Sequence, residues 1–141
     1  MCAPCEMIVA GYYDTGTKHV TICENRLGNR RAALERTLTH ELIHAYDDAF
    51  GLRGQKPPLV WTDCRQRACT EIRAAALSGD CSYSAEVARG HFSPINYHQS
   101  CVRRRAALSL SMQKECKGRK EADRCVDAVF DECFANHEPF D

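Results

Sequence analysis

An α+β fold, with a small N-terminal antiparallel sheet or hairpin followed by about five helices and stapled by disulfides, is predicted by three observations. The first is a short β-rich stretch broken by a turn signal near the N-terminus. The second is a change to helical periodicity from about residue 31 onward. The third is ten cysteines, an even number, spread over 141 residues. That length fits one domain, 1–141, and is too short for two well-packed cores.

The elements follow in chain order. Glu6 to Asp14 is rich in β-formers (Ile8, Val9, Tyr12, Tyr13), and Lys18 to Cys23 alternates with Val20 and Ile22 on one side. Asp14-Thr15-Gly16-Thr17 between them is a turn, so the pair reads as a hairpin that would bring Cys5 near Cys23. From Arg31 to Phe50, Leu34, Leu38, Leu42 and Ala45 recur at helical spacing, and Gly51 is a natural stop. A loop with Gly54, Pro57 and Pro58 leads past Trp61 to a second helix, about Asp63 to Leu77, ending at Gly79. Ser82 to Arg89 reads as a short helix and His91 to Asn96 as a connection. Tyr97 to Met112 and Arg119 to Asn136 complete the set.

Composition narrows the function. Apolar residues make up 44% and charged residues 27%, as in a globular domain rather than a disordered chain. The formal charge is zero, with 19 basic and 19 acidic residues, which argues against nucleic-acid binding by charge. No stretch approaches the roughly 20 apolar residues of a membrane span. Met1 to Ala10 carries neither a basic n-region nor a signal-like apolar run. Cys2-x2-Cys5 has zinc-ribbon spacing, but no second close pair completes such a site, so the cysteines read as disulfides formed in an oxidising compartment.

The chemistry concentrates at His40-Glu41-Leu42-Ile43-His44. Residues four apart share a helical face, so His40 and His44 can turn both imidazoles onto one Zn2+ ion. Glu41, about 100° away around the helix, can reach a water on that ion and act as general base for attack on a peptide carbonyl. A third ligand is needed. One common arrangement places Gly three residues after the second His and another His three further on, but Asp47 and Phe50 hold those positions. The second helix supplies a candidate, because Glu71, Ala74, Ala75 and Ser78 share one face whose small side chains permit close approach to the first. Glu71 is therefore the expected ligand. Asp47 suits the orienting of an imidazole N–H better than direct ligation, with Asp48 and Asp80 as weaker candidates for the same task. An edge strand beside the cleft could hold substrate extended by backbone hydrogen bonds. Arg103, Arg104 and Arg105 spread over about 200° on a helix and read as a solvated or salt-bridged face, with anionic lipid as a further hypothesis.

The stretch Leu38 to Asp48 resembles the mitochondrial inner-membrane metalloproteases that process and help assemble the ATP synthase. The likeness continues through Ala68-Cys69-Thr70-Glu71-Ile72-Arg73-Ala74-Ala75, Leu77-Ser78-Gly79-Asp80-Cys81, Tyr97 to Ala106 and Glu138-Pro139-Phe140. It implies a zincin-like, zinc-dependent endopeptidase of the intermembrane space, peripheral to the inner membrane, with oxidised cysteines. It further implies a protein substrate, the precursor of a membrane-embedded ATP synthase subunit whose presequence is removed, and a separable role in assembling that subunit. The alternative is an assembly chaperone with structural zinc and little proteolysis. A monomer is expected. His98, with Tyr97, lies in a matching motif and is expected to stabilise the oxyanion.

Overall fold

The hairpin turn is held by Asp14, whose Oδ1 accepts the backbone N–H groups of Gly16 and Thr17 at 2.8 and 3.0 Å. Strands β2 (Gly11–Asp14) and β3 (His19–Cys23) pair antiparallel about it, Gly11 opposite Ile22 and Asp14 opposite His19. A two-residue strand β1 (Cys2–Ala3) adds on the far side of β3 in parallel, giving the order β1-β3-β2. The parallel addition was not foreseen; of the strand read from Glu6 to Asp14, Gly11–Asp14 forms β2, Val9 and Ala10 form a bend before it, and residues 6–8 lie outside the described residues. The structure, a computed structural model, describes residues 2–3, 9–27 and 30–140. Cys5, and with it the expected Cys5–Cys23 bridge, lies outside them.

Six helices follow: α1 (Glu24–Leu27), α2 (Arg31–Phe50), α3 (Cys64–Leu77), α4 (Tyr83–Ala88), α5 (Tyr97–Ser111) and α6 (Arg119–Ala135), with a 3-10 turn at Lys114–Cys116. Local chemistry fixes their ends. The Asp63 side chain caps α3 by accepting the N–H groups of Arg65 and Gln66. Ser82 caps α4 through the Ala85 N–H. Gly51, at φ 78°, closes α2 with its N–H on the Asp47 carbonyl, a left-handed position that suits glycine.

The main core lies among α3, α5 and α6, where Ile72, Val102, Leu110, Val126 and Phe130 are buried. Among the described residues, three disulfides frame it. Cys64–Cys116 and Cys69–Cys133 tie α3 to the 3-10 turn and to α6, and Cys81–Cys101 ties the segment after α3 to α5. They close loops of 52, 64 and 20 residues, and loop-closure entropy assigns about 3–4 kcal/mol to each. Cys125, buried, carries a free thiol.

On α2 the helix forms where the periodicity places it, but its faces are reversed. Leu34, Leu38 and Leu42 are 38, 39 and 50% exposed, while Glu41, His44, Asp47 and Asp48 turn inward. Polar groups can occupy the inner face because partners on α3 and the hairpin satisfy them. Strand β2 lies close against this helix. A Cβ at Gly11 would sit 2.8 Å from Thr37 Cγ2 and 2.9 Å from the Thr21 carbonyl, so only glycine fits there without a shift.

Candidate metal centre

His40 and His44, one turn apart on α2, have ring centroids 4.9 Å apart and face Glu71 on α3. His40 Nε2 is 3.6 Å from Glu71 Oε2, and His44 Nε2 is 3.6 Å from Glu71 Oε1. One donor atom from each of the three residues lies within 4.8 Å of the other two. Among the described residues, no other cluster of His, Cys, Asp and Glu side chains meets this spacing.

Each imidazole is oriented from behind. His40 Nδ1 pairs with Asp80 Oδ2 at 2.8 Å. His44 Nδ1 is 2.9 Å from Thr70 Oγ1, whose own hydrogen goes to Asp47 Oδ2 at 2.8 Å. With that hydrogen spent, Thr70 accepts from His44, so the His44 proton sits on Nδ1 and the Nε2 lone pair faces Glu71. Asp47 is in turn held by Arg73, which donates Nε and Nη2 to its carboxylate and also reaches the carbonyls of Asn136 and Glu138. Arg73 is 1% exposed, and its fork binds α2, α3 and the C-terminal tail together.

The charge state of the cluster suits a cation. Burial alone would raise the Glu71 carboxyl, but His44, His40 and the nearby Ser109 hydroxyl outweigh it and bring it to about 2. Its Oε2 is nevertheless buried without a hydrogen-bond partner. Burial holds His44 down at about 4, so its imidazole is neutral. Burial also opposes charge on His40, yet Asp80 and Glu71 carry it up to about 10. A proton on His40 thus does part of the work that a metal ion would do. Two imidazole nitrogens and an ionised carboxylate, one of whose oxygens is buried without a partner, fit the donor set of a catalytic zinc site, which takes three protein ligands and leaves a position open.

His40 and Glu71, with His44 buried behind them, open on a cleft of about 370 Å³ lined by α2, α3, α5 and the start of β2. Glu41 reaches it and is only 8% exposed. Burial is the main cause of its carboxyl rising to about 7; the charge on His40 pulls the other way, and Glu71 and Asp80 add to the rise. The Tyr13 backbone of β2 lies near enough to offset a little of that rise. Asp48 serves a different purpose from the expected one. It accepts from Tyr13 Oη, Lys18 Nζ and Trp61 Nε1, locking the hairpin and the Trp61 loop onto α2. The Trp61 ring then meets His44 edge-on at 6.0 Å.

His98 is not brought into the cleft. Its ring packs against Phe134 at 5.6 Å, near the start of α5. The α5 residues that line the cleft begin at Arg105, seven positions on and so roughly 10 Å further along the axis. Tyr97, beside it, meets Tyr83 instead. Sequence reasoning missed Thr70 and Arg73, and it ranked Asp80 too low. The available signal was that Thr70 and Arg73, three apart, share one face of α3.

The sequence profile of the peptidase M76 family matches residues 1–141. The chain belongs to that family. Its relatives include proteins named mitochondrial inner membrane protease ATP23 homolog in Danio rerio, 41% identical over 140 residues, and in Homo sapiens, also 41% over 140. Each alignment covers 99% of this chain and 52 or 54% of the relative. The mitochondrial inner membrane protease atp23 of Schizosaccharomyces pombe is 37% identical over 141 residues, with 99% and 72% covered. This M76 chain therefore spans about half the length of its animal relatives. No solved structure matches it.

Proposed function

We propose that this chain is the catalytic portion of a zinc-dependent endopeptidase. His40, His44 and Glu71 hold the ion, and Glu41 is the general base. The observation that carries this reading is the convergence of the two Nε2 atoms on a buried Glu71 carboxylate with an unpartnered oxygen, at the floor of a cleft that Glu41 also reaches. Zinc there supplies a Lewis acid and lowers the pKa of water. Glu41 takes the proton of the attacking water and returns it to the leaving amine. Asp80 and Thr70 keep the imidazole lone pairs aimed at the ion. All four site residues come from one chain, so a monomer suffices.

The substrate is an extended protein segment. Strand β2 is at the edge of its sheet, and Gly11 lies at the cleft, where backbone groups can pair with a strand of substrate. Leu108 and Met112, exposed on α5, give the cleft an apolar wall. The names of the relatives and the disulfides support action at the mitochondrial inner membrane from its oxidising, intermembrane-space side. Among the described residues no helix is long and apolar enough to cross that membrane, in keeping with peripheral association. The precursor of a membrane-embedded ATP synthase subunit is the client this reading assigns.

Glu41→Gln tests it. The zinc-loaded variant keeps its metal and loses at least about a hundredfold in cleavage of a fluorogenic peptide mixture, and precursor of the client accumulates in mitochondria that carry it. Cleavage by the variant at the wild-type rate, or a zinc-loaded wild-type protein that cleaves nothing, would overturn the assignment.

A further inference from the structure

Three consecutive arginines on α5 go to three different places. Arg103 pairs with Asp127 and lies over the Phe130 ring at 3.8 Å. Arg104 reaches the buried Glu86, which also takes Arg89. Arg105 lines the cleft. Its guanidinium makes no hydrogen bond or close ion pair with any described residue, although the side chain is partly buried and its pKa is lowered. Burial is the main cause of that lowering and Arg89 adds to it. The five donors of Arg105 are therefore not committed to a protein acceptor among the described residues, at a position that lines the cleft, and a guanidinium so placed suits an oxygen of a ligand.

Position strengthens the point. Arg105, Leu108, Ser109 and Met112 stand at i, i+3, i+4 and i+7 on one face of α5, and all four line the cleft. Ser109 on that face lies close enough to Glu71 to lower its pKa, and the field of Asp80, the partner of His40, reaches Arg105. Among the described residues, no basic side chain lines the cleft besides Arg105 and His40, and His40 turns to Glu71 and Asp80. The donor task expected of His98 is thus open, and Arg105 is the cleft residue equipped for it.

We propose that Arg105 binds the carbonyl oxygen of the scissile peptide bond and stabilises the negative charge that develops on it. This role rests on the peptidase reading above. As water adds to the carbonyl carbon, its proton passes to Glu41 and the carbonyl π pair moves onto oxygen, where the Arg105 N–H groups bond it without transferring a proton. The pair returns as the C–N bond breaks, and the amine leaves with the proton held by Glu41. The charge on Arg105 is constant throughout, so the gain comes from a donor already in place before charge appears.

The test compares zinc-loaded wild type, Arg105→Met and Arg105→Lys on one fluorogenic peptide cleaved by the wild type, with a phosphinic peptide of the same sequence as the tetrahedral mimic. Arg105→Met is expected to lower kcat about a hundredfold with KM changed less than threefold, and to weaken the phosphinic peptide by a similar factor. Zinc content and thermal midpoint stay at wild-type values. Arg105→Lys, which keeps the charge but not the fork, recovers part of the loss. A kcat for Arg105→Met within threefold of wild type refutes the role while leaving the peptidase reading intact. Loss of zinc in parallel with activity refutes it in favour of a support role through Asp80. A zinc-loaded wild type that cleaves no peptide removes both.

Discussion

Replacing Thr70 with Val removes one hydroxyl and changes almost nothing else. Thr70 is 0% exposed, and valine has nearly its volume, so no cavity opens. Two bonds disappear: the one from His44 Nδ1 at 2.9 Å and the one to Asp47 Oδ2 at 2.8 Å. A neutral buried bond is worth about 1 kcal/mol and one to a carboxylate about 1.5–3, giving about 2.5–4 kcal/mol in the metal-free protein. For a chain of this size that corresponds to a fall of about 5–15 °C in thermal midpoint. Zinc affinity falls separately, by about 10- to 100-fold, because the His44 tautomer is no longer selected from behind. Calorimetry of the metal-free protein reads the first effect, and competition with a chromophoric chelator reads the second. Thr70→Ser keeps the hydroxyl and is expected within about threefold of wild type in zinc affinity, since the same donor and acceptor remain. If Thr70→Val lowers the midpoint but binds zinc as tightly as wild type, Thr70 is a packing residue and the chain from Arg73 through Asp47 to His44 does not tune the metal.

Zinc removal and Asp48 give two further checks. Zinc at a hundred times its Kd raises the stability of the chelator-treated protein by about 2.7 kcal/mol; Glu71→Ala abolishes both the rise and stoichiometric zinc, and a variant that still binds one zinc per chain excludes Glu71 as ligand. Burial works to raise the Asp48 carboxyl, yet hydrogen bonds from Lys18, Tyr13 and Trp61 leave it below the usual carboxylate range. A depressed folded-state value stabilises above the unfolded carboxyl pKa of about 3.9 and stops doing so as pH falls through the folded value. The midpoint gap between wild type and Asp48→Asn is therefore expected to be widest above about pH 5 and to close in acid. A gap independent of pH would mean that the substitution costs stability through the shape of the amide and not through the lost charge.

Much of the site was legible because its geometry is local. His40, Glu41 and His44 need only the helical repeat, and Glu71 follows from small residues on one face of α3 that let two helices approach. What lay hidden depends on chain paths that no local pattern encodes. Asp80 reaches His40 only because the turn after α3 folds back over α2. Arg73 reads as an ordinary charged residue until the C-terminal tail brings the carbonyls of Asn136 and Glu138 to it. The parallel pairing of β1 with β3 is of the same kind. His98 shows the opposite failure: membership of a matching motif says nothing about which way a side chain faces, and its ring went to Phe134. The cysteine connectivity was beyond spacing arguments, since ten thiols allow hundreds of pairings and one of them, Cys125, takes none.

The reversed faces of α2 connect these observations. A helix that places Leu34, Leu38 and Leu42 outward and Glu41, His44, Asp47 and Asp48 inward gives up apolar burial along much of its length. It is held instead by directional contacts: Arg73 on Asp47, Thr70 on His44, and three donors on Asp48. Each such contact adds only about 1–3 kcal/mol net, because desolvation consumes much of its gain. The disulfides and the apolar core among α3, α5 and α6 supply what α2 does not. That division leaves α2 free to hold a carboxyl and two imidazoles at or just behind the cleft, the imidazole orientations already fixed, and it accounts for a candidate site of this precision in a chain of 141 residues.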